Sequence, residues 1–265
     1  MSAAHDPITF VGGGNMGAAI VAGLIRAGWP AELITVVERS SERRATLAST
    51  FPGVVIAEAL GSCGAGVIAV KPGDAADTVA SLARAGATRV LSIAAGVSLQ
   101  ALQDAAGSGC RVVRAMPNTP ALVGEGAAGI SGSAACDDAD LAWAESILGA
   151  VGTVVRVDES LLDAVTAVSG SGPAYLFLFA EALTQAGIDQ GLPRDVADAL
   201  VRQLLLGSGR LLRQSPLSPA ELRAQVTSPN GVTARAIETL EAAEFRRIVA
   251  DTVRSAVARS REMGR

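Results

Sequence analysis

A glycine-rich turn near the N-terminus constrains this chain more than any other feature. Residues 8–11 (ITFV) have the composition of a buried strand, and the next six residues read GGGNMG. In this G-x-G-x-x-G pattern the first glycine allows a tight turn, the second lets the backbone approach a phosphate, and the third lets a helix pack closely. The helix start would then face that phosphate with its N–H groups and positive dipole. The pattern predicts a dinucleotide site at Gly12, Gly13, Gly14, Asn15, Met16 and Gly17.

Short apolar runs alternate with helical patterns through the first half of the chain. Helical periodicity over residues 18–27 stops at Gly28, a typical C′ glycine. Further strand-like runs lie at residues 33–37, 67–70, 90–93, 112–114 and 154–157. Strands separated by helices predict an α/β fold of Rossmann type, with a doubly wound, mostly parallel sheet.

The pattern becomes all-helical after about Asp158. Residues 161–186 form a helical pattern interrupted at residues 169–173 (SGSGP), and residues 193–212 form another with Pro193 in its first turn. Ser218 and Glu221 have the spacing of a capping box. We therefore predict a dinucleotide-binding Rossmann domain over residues 1–160 and a C-terminal all-α domain over residues 161–265.

The helical tail predicts self-association. About a hundred residues form a marginal independent core, so we expect a second copy to complete the apolar stripes in a symmetric homodimer. The alternative is that these helices pack on the first domain.

Composition and charge exclude several classes of partner. The net charge is −4 and no basic surplus occurs, which argues against nucleic acid. Cys63, Cys110 and Cys136 are far apart and the chain has one histidine, so we expect no metal site and no disulfide framework, as in a reducing cytoplasm. The polar N-terminus lacks the apolar core of a signal peptide, and the longest apolar run, residues 175–180, ends at Glu181. We expect no membrane span.

Two signals conflict at the end of the second predicted strand. Glu38 could accept a hydrogen bond from a ribose 2′-hydroxyl, which favours NAD, whereas Arg39 and Ser40 could hold a 2′-phosphate, which favours NADP. Because the Arg-Ser pair begins the loop where that phosphate would lie, we favour NADP and keep NAD as the alternative.

Two later strand ends are candidates for the nicotinamide half of the site. In a doubly wound sheet the carboxyl ends of the strands face the ligand crevice. The residues placed there are Ala69, Val70, Lys71, Pro72 and, in the segment SIAAG, Ala95. Plain βα loops are the alternative interpretation.

Several motifs together resemble the pyrroline-5-carboxylate reductase family along essentially the whole chain. The most specific are residues 114–120 (RAMPNTP), residues 169–175 (SGSGPAY) and the late turn in residues 226–234 (VTSPNGVTA). The resemblance implies an oxidoreductase of proline biosynthesis that reduces 1-pyrroline-5-carboxylate to L-proline with NADPH or NADH. It also implies a helical dimerisation domain, often with the dimers assembled into rings.

The same resemblance implies the remaining site residues. Met116, Pro117 and Asn118 would lie beside the nicotinamide. Ser228 and Thr233 would hold the substrate, with Gly172 and Pro173 in the loop nearby. Apart from the resemblance, a substrate carboxylate needs donors at a helix start, and Asn230, Gly231 and the Ser228 hydroxyl can supply them.

Two positions depart from the family's pattern. The late turn typically reads SPGG, but here Asn230 replaces the first glycine; asparagine tolerates positive φ, so the turn can survive. Members often carry a ribose-contacting Asn where this chain has Ile56-Ala57-Glu58. That contact is in doubt.

The residue types favour a mechanism without histidine. His5, the one histidine, lies in the polar tail and is a poor general acid. A protonated C=N is already a strong hydride acceptor, so the enzyme mainly needs positioning and hydrogen bonds.

Thr233 is the candidate for the group near the ring nitrogen, and its alternative role is to satisfy local backbone at a helix start. Lys71 is a weaker candidate acid, since a lysine beside a proline after a strand is more often an exposed turn residue.

Two further functions stay open at this point. One is another imine or β-hydroxyacid reductase of the same layout, and the other is a non-catalytic NADP-binding scaffold. Oxidation of NADPH on addition of pyrroline-5-carboxylate separates the scaffold from either enzyme.

Overall fold

One eight-stranded sheet forms the centre of the N-terminal part. The computed structural model describes residues 6–263, so His5 lies outside the described residues. The strands are β1 (Ile8–Val11), β2 (Ile34–Val37), β3 (Val55–Ala57), β4 (Ala65–Ile68), β5 (Arg89–Ser92), β6 (Arg111–Met116), β7 (Gly126–Gly132) and β8 (Gly152–Arg156). Their order is β3-β2-β1-β4-β5-β6-β7-β8, and every neighbouring pair is parallel except β6 and β7. The predicted mostly parallel sheet is confirmed.

Helices cover both faces of this sheet and form the rest of the chain. They are α1 (Asn15–Arg26), α2 (Ser41–Thr50), α3 (Ala75–Arg84), α4 (Leu99–Ala106), α5 (Asp138–Gly149), α6 (Leu162–Val165), α7 (Gly172–Asp189), α8 (Arg194–Gln214), α9 (Pro219–Gln225), α10 (Val232–Ala242) and α11 (Phe245–Met263). No described residue after β8 belongs to a strand, in agreement with the predicted change near Asp158.

Side chains that alternate between the two faces of the sheet divide the core into two layers. Val67 belongs to the layer that contains Ile20 of α1 and Ile147 of α5, whereas its neighbour Ile68 packs with Leu82 of α3 on the other side. Successive side chains of a strand point to opposite faces, so each central strand supplies both layers. The doubly wound arrangement follows from this two-sided burial.

Two of the strands were not predicted. The edge strand β3 has three residues and its Val55 is exposed, so it carries little hydrophobic signal. The strand β7 reads GAAGISG, which lacks a β-branched run, although four of its residues are buried. Its close neighbours explain the small side chains: a Cβ on Gly129 would lie 2.9 Å from Val165.

Local signals placed two helix ends correctly and one wrongly. Gly28 has φ 90° and donates to the carbonyl of Ile25 at 3.0 Å, as a C′ glycine does. The capping box of α9 is complete, since Ser218 Oγ accepts from Glu221 N and Glu221 Oε2 accepts from Ser218 N. Pro193 corrects the prediction by one residue: it precedes α8 in an extended conformation with ψ 145°, because its own backbone has not yet entered the helix.

The chain divides into two compact units. The sheet unit contains the described residues up to Ser171 together with those from Ala256 onward, and the helical unit runs from Gly172 to Ser255. The last turns of α11 therefore belong to the sheet unit, where Ser260 Oγ donates to Asp163 Oδ1 at 2.6 Å. The predicted domain boundary between residues 160 and 161 stays a prediction.

The helical unit exposes much apolar surface. Its buried side chains in α8 are Ala197 and Val201, and none is buried in α7, α10 or α11. Large exposed apolar residues include Leu176, Phe177, Leu178, Leu200 and Leu204. Monomeric proteins rarely leave such a surface uncovered, so it is suited to burial against another chain.

One stretch of the described residues, Glu159–Asp189, is long and apolar enough to cross a membrane by length and composition. No span was predicted here, because small and polar residues separate the Leu, Val and Phe side chains that raise the mean hydropathy. The predicted absence of a membrane span stays a prediction.

A substitution at Gly152, the first residue of β8, tests how tightly the edge of the sheet is packed. Its φ is 157°, and an added Cβ would collide with the carbonyl oxygen of the paired Gly126. We expect Gly152→Ala to lower the free energy of unfolding by roughly 2–4 kcal/mol, because backbone strain and a backbone collision act together. Urea unfolding followed by circular dichroism measures the change.

Gly149→Ala is the matched control. Gly149 ends α5 three residues earlier, has no positive φ, and leaves open space for a Cβ. We expect a change within about 1 kcal/mol, in the stabilising direction. Equal losses in the two variants would contradict the packing argument.

Candidate active site

The glycine turn after β1 is held by two close backbone contacts. Gly12 has φ 103°, and a Cβ there would collide with the carbonyl oxygen of Ala69 at the end of β4. A Cβ on Gly17 would lie 2.5 Å from the carbonyl oxygen of Gly12. The turn therefore needs glycine at both positions, as the sequence pattern predicts.

The start of α1 is open to an anion. Gly14 is its N-cap residue, no side chain caps the helix, and no acidic residue lies in its first turn. A Cβ on Gly14 would meet nothing within 4 Å, so the space over the turn is available to a ligand. Uncapped N–H groups and the helix dipole suit a pyrophosphate, so this cradle fits the predicted dinucleotide.

Glu38 braces the glycine turn with both carboxylate oxygens. Its Oε2 accepts from Gly13 N at 3.0 Å, and its Oε1 accepts from Ser40 N at 2.9 Å. Burial opposes ionisation, but hydrogen bonds from the backbone of Ser40, Gly13 and Arg39 and the charge of Arg43 outweigh it, so the pKa of Glu38 is lowered. The sequence analysis treated Glu38 as a ribose acceptor and did not foresee this brace.

Arg39 and Ser40 lie at the start of the loop that follows β2. Arg39 Nη2 lies 3.1 Å from Asp74 Oδ2, and the two side chains are 80% and 51% exposed. An ion pair this exposed contributes little stability, so Arg39 can exchange partners readily. Ser40 Oγ accepts from Arg43 N and thereby caps α2.

A second arginine, Arg43 in the first turn of α2, was not predicted as part of the site. Arg43 Nε donates to the carbonyl oxygen of Gly13 at 2.7 Å, so α2 is tied directly to the glycine turn. Its helical position one turn after Ser40 was the available signal, but the pairing depends on how α2 packs. Arg44 likewise binds the carbonyls of Glu38 and Arg39, and its Nη2 lies 2.9 Å from Glu58 Oε2.

A groove of about 710 Å³ runs along the glycine turn. It brings together a subset of the predicted cofactor residues, namely Gly12, Gly14, Arg39, Ala69, Val70 and Lys71. Glu58 and Asp74 also line it, and Glu58 occupies the segment where the family's ribose-contacting Asn is missing. Lys71 is exposed, which favours its interpretation as a turn residue over a buried acid.

The other predicted cofactor residues lie at neighbouring strand ends. Gly13, Asn15, Met16 and Gly17 complete the turn and first turn of α1, and Pro72 begins the short helix after β4. Ala95 follows β5, and Met116, Pro117 and Asn118 end β6 and the loop after it. Since β1, β4, β5 and β6 are parallel, all these segments leave the sheet at the same edge.

The predicted substrate turn lies in the helical unit, directly before α10. Asn230 has φ 60°, which confirms that asparagine supports this turn, and Gly231 N donates to the carbonyl oxygen of Ser228 at 3.0 Å. Gly231 is the N-cap residue of α10 and receives no side-chain cap, so the helix start is open to an anion. Thr233 lies in that first turn and is half-buried. Gly172 and Pro173 begin α7 in the same unit.

Cysteine chemistry plays no visible part. Burial raises the pKa of Cys110 to about 11, and burial also raises the pKa values of Cys63 and Cys136. Within residues 6–263 no group of three or more metal-binding side chains occurs.

Two family models match the chain. The model described as pyrroline-5-carboxylate reductase dimerisation matches residues 159–263, and the model described as NADP oxidoreductase coenzyme F420-dependent matches residues 7–96.

Curated relatives match at nearly full length. The pyrroline-5-carboxylate reductase of Pseudomonas aeruginosa is 41% identical over 262 residues, covering 97% of this chain and 96% of the relative. The pyrroline-5-carboxylate reductase of Synechocystis is 42% identical over 261 residues, covering 96% of this chain and 97% of the relative.

Solved structures agree with these matches. The pyrroline-5-carboxylate reductase of Coxiella burnetii superposes with a TM-score of 0.93 at 36% identity, covering 98% of this chain and 99% of that one. The Plasmodium falciparum pyrroline carboxylate reductase with NADP bound superposes with a TM-score of 0.83 at 29% identity, covering 98% and 99%. By sequence identity across almost its whole length, this chain belongs to the pyrroline-5-carboxylate reductase family.

Proposed function

We propose that this chain reduces the C=N bond of 1-pyrroline-5-carboxylate to give L-proline, with NADPH as the preferred hydride donor and NADH as the alternative. The observation that carries the proposal is the 41% identity to a curated pyrroline-5-carboxylate reductase over 97% of the chain. The chain is accordingly an NAD(P)H-dependent oxidoreductase that acts on CH–NH groups and serves proline biosynthesis.

The sheet unit holds the cofactor. The uncapped start of α1 receives the pyrophosphate, and Arg39 and the Ser40 hydroxyl hold the 2′-phosphate. The segments Ala69-Val70-Lys71-Pro72 and Met116-Pro117-Asn118, with Ala95, line the nicotinamide half. Bound NADPH supplies the hydride, and the chain's own residues set the distance and exclude water.

The helical unit holds the substrate. The uncapped N–H groups at the start of α10 and the N–H group of Asn230 bind its carboxylate, since Pro229 has no N–H and the Gly231 N–H already donates to the Ser228 carbonyl. The Thr233 hydroxyl lies near the ring nitrogen, where it accepts from the iminium N–H or relays a proton. Gly172 and Pro173 form the surface beside the ring.

A homodimer is the functional unit in this proposal, and the match to the dimerisation model supports it. That match starts at residue 159 and so includes Glu159–Asp189, the stretch apolar enough to span a membrane. We assign the exposed apolar face of α7 to contact with a second chain, with no membrane involved. A cytoplasmic location and a ring of dimers complete the proposal.

A non-catalytic scaffold and a reductase for another substrate would give different results in the same assay. A scaffold would bind NADPH without oxidising it on addition of the substrate. A reductase for another imine or a β-hydroxyacid would oxidise NADPH faster with that compound than with pyrroline-5-carboxylate. Steady-state rates with the three kinds of compound decide among them.

Thr233→Ala tests the assigned hydroxyl. We expect kcat/KM for pyrroline-5-carboxylate to fall roughly 10- to 100-fold, because the iminium N–H loses its hydrogen-bond partner. Thr233→Ser keeps a hydroxyl and should retain most of the activity. Thr239→Ala is the matched control on the same helix, since Thr239 Oγ1 donates to the carbonyl oxygen of Arg235. Full kcat/KM in Thr233→Ala would refute the assignment.

Arg39→Ala tests the 2′-phosphate contact. We expect KM for NADPH to rise roughly 10- to 100-fold, as for loss of a charged hydrogen bond, while KM for NADH changes less than about threefold. Asp74→Asn should act in the opposite direction, because it releases Arg39 from its ion pair and removes a negative charge from the groove.

Arg156→Ala is the control for loss of a surface ion pair. Arg156 pairs with Asp138 and Glu145 beside β8, away from the loop after β2. Its ratio of KM for NADPH to KM for NADH should match that of the wild type. A parallel rise of both KM values in Arg39→Ala would remove Arg39 from the 2′-phosphate site.

A further inference from the structure

A π-helical turn interrupts the chain between α6 and α7. It spans Thr166–Gly170, and Ser171 N donates to the carbonyl oxygen of Thr166 at 2.8 Å, a five-residue step. Pro173 follows four residues after Ser169 and has no N–H, so the Ser169 carbonyl lacks the donor that an α-helix would supply. Single π-turns of this kind often occur at functional sites.

Asn118 supplies the missing donor. Its Nδ2 donates to the Ser169 carbonyl oxygen at 3.1 Å and lies 3.3 Å from Ser169 Oγ. Its Oδ1 accepts from Ala127 N, in β7, at 2.8 Å. Both polar atoms of the Asn118 side chain are therefore hydrogen-bonded to the protein, and the residue is only 9% exposed.

A packing contact joins the same two segments. A Cβ on Gly170 would lie 2.5 Å from Met116 Cε, so the π-turn and the end of β6 are in direct contact. Asn118 and Met116 belong to one short segment, and both contact the π-turn, at Ser169 and Gly170 respectively. The amide of Asn118 thus connects three pieces of backbone, namely the loop after β6, the start of β7 and the π-turn.

We propose that Asn118 is a positioning residue for hydride transfer: its buried amide fixes the Met116-Pro117-Asn118 segment against the π-turn. This rests on the proposed function, which puts that segment beside the nicotinamide. Both groups of the Asn118 amide are occupied by the protein, so the residue acts through the backbone it holds. Removing the amide leaves two partly buried backbone groups without their partner and lets the segment shift.

Single-turnover kinetics separates positioning from loss of folded enzyme. With enzyme and NADPH in excess over pyrroline-5-carboxylate, the rate constant reports hydride transfer, and the amplitude reports the active fraction. We expect Asn118→Ala to lower the rate constant roughly 10- to 100-fold with an unchanged amplitude, because small displacements of reacting groups are costly. The dissociation constant for NADPH should change less than the rate constant.

Asn118→Asp adds a pH readout. The protonated carboxyl group can donate to the Ser169 carbonyl and accept from Ala127 N, whereas the ionised group repels that carbonyl. The three partner atoms of Asn118 are uncharged. The rate constant of Asn118→Asp relative to wild type should therefore fall as the pH rises.

Two variants serve as controls. One removes a hydrogen bond of a buried residue elsewhere, and the other removes a side chain of the π-turn itself. Ser133 is a buried residue directly after the other end of β7 and donates to Gln103 Oε1 at 2.7 Å, so Ser133→Ala removes a part-buried hydrogen bond far from Ala127 along the strand. Ser169→Ala keeps the backbone carbonyl that accepts from Asn118. Both variants should keep the rate constant within about threefold of wild type.

Hydrogen exchange of the Ala127 amide provides a readout in the cofactor-free protein. It should be faster in Asn118→Ala than in wild type and unchanged in Ser133→Ala. An unchanged rate constant in Asn118→Ala, or an equal loss in Ser133→Ala, would overturn the positioning role. Wild-type protein that fails to oxidise NADPH with pyrroline-5-carboxylate would instead overturn the proposed function, and the exchange experiment distinguishes the two failures.

Discussion

The approach of the first glycine turn to the end of β4 is the constraint on which the rest of the sheet unit depends. No Cβ fits on Gly12 beside the Ala69 carbonyl, and Gly17 packs equally closely on Gly12. These contacts bring the start of α1 to the carboxyl edge of the sheet with no side chain capping it. A helix start binds an anion only where its N–H groups are uncovered, so the backbone packing decides where a pyrophosphate can lie. The Glu38 carboxylate then holds the turn in shape through Gly13 and Ser40.

The helical unit also contains a helix start without a side-chain cap. The start of α10 is uncapped, and the bend before it is possible because Asn230 accepts φ 60°. Open helix starts suit the phosphates of a dinucleotide and the carboxylate of a cyclic imine, and a protonated C=N needs positioning more than it needs an acid. The exposed apolar side chains of α7 and α8, such as Phe177 and Leu200, explain why a helical unit of this size functions as part of a dimer.

Sequence reasoning was most accurate where the signal was local. The C′ role of Gly28, the capping box of Ser218 and Glu221, and the turn at Asn230 each depend on a few adjacent residues, and each is confirmed. It was least accurate for β3 and β7, because a short exposed edge strand and a strand of small residues carry almost no hydrophobic pattern. The small residues of β7 make sense only beside α6, where Val165 leaves no room over Gly129.

The fold class, the glycine turn and the family can be predicted from the amino-acid sequence alone, because each is encoded in contiguous residues or in the order of specific motifs. The tertiary structure decided how the polar side chains are used. Glu38 reaches Gly13 across 25 residues, Arg43 reaches the same glycine across 30, and Asn118 reaches Ser169 across 51. Such partners are chosen by which backbone groups remain unpaired when the elements pack, and a linear pattern does not contain that information.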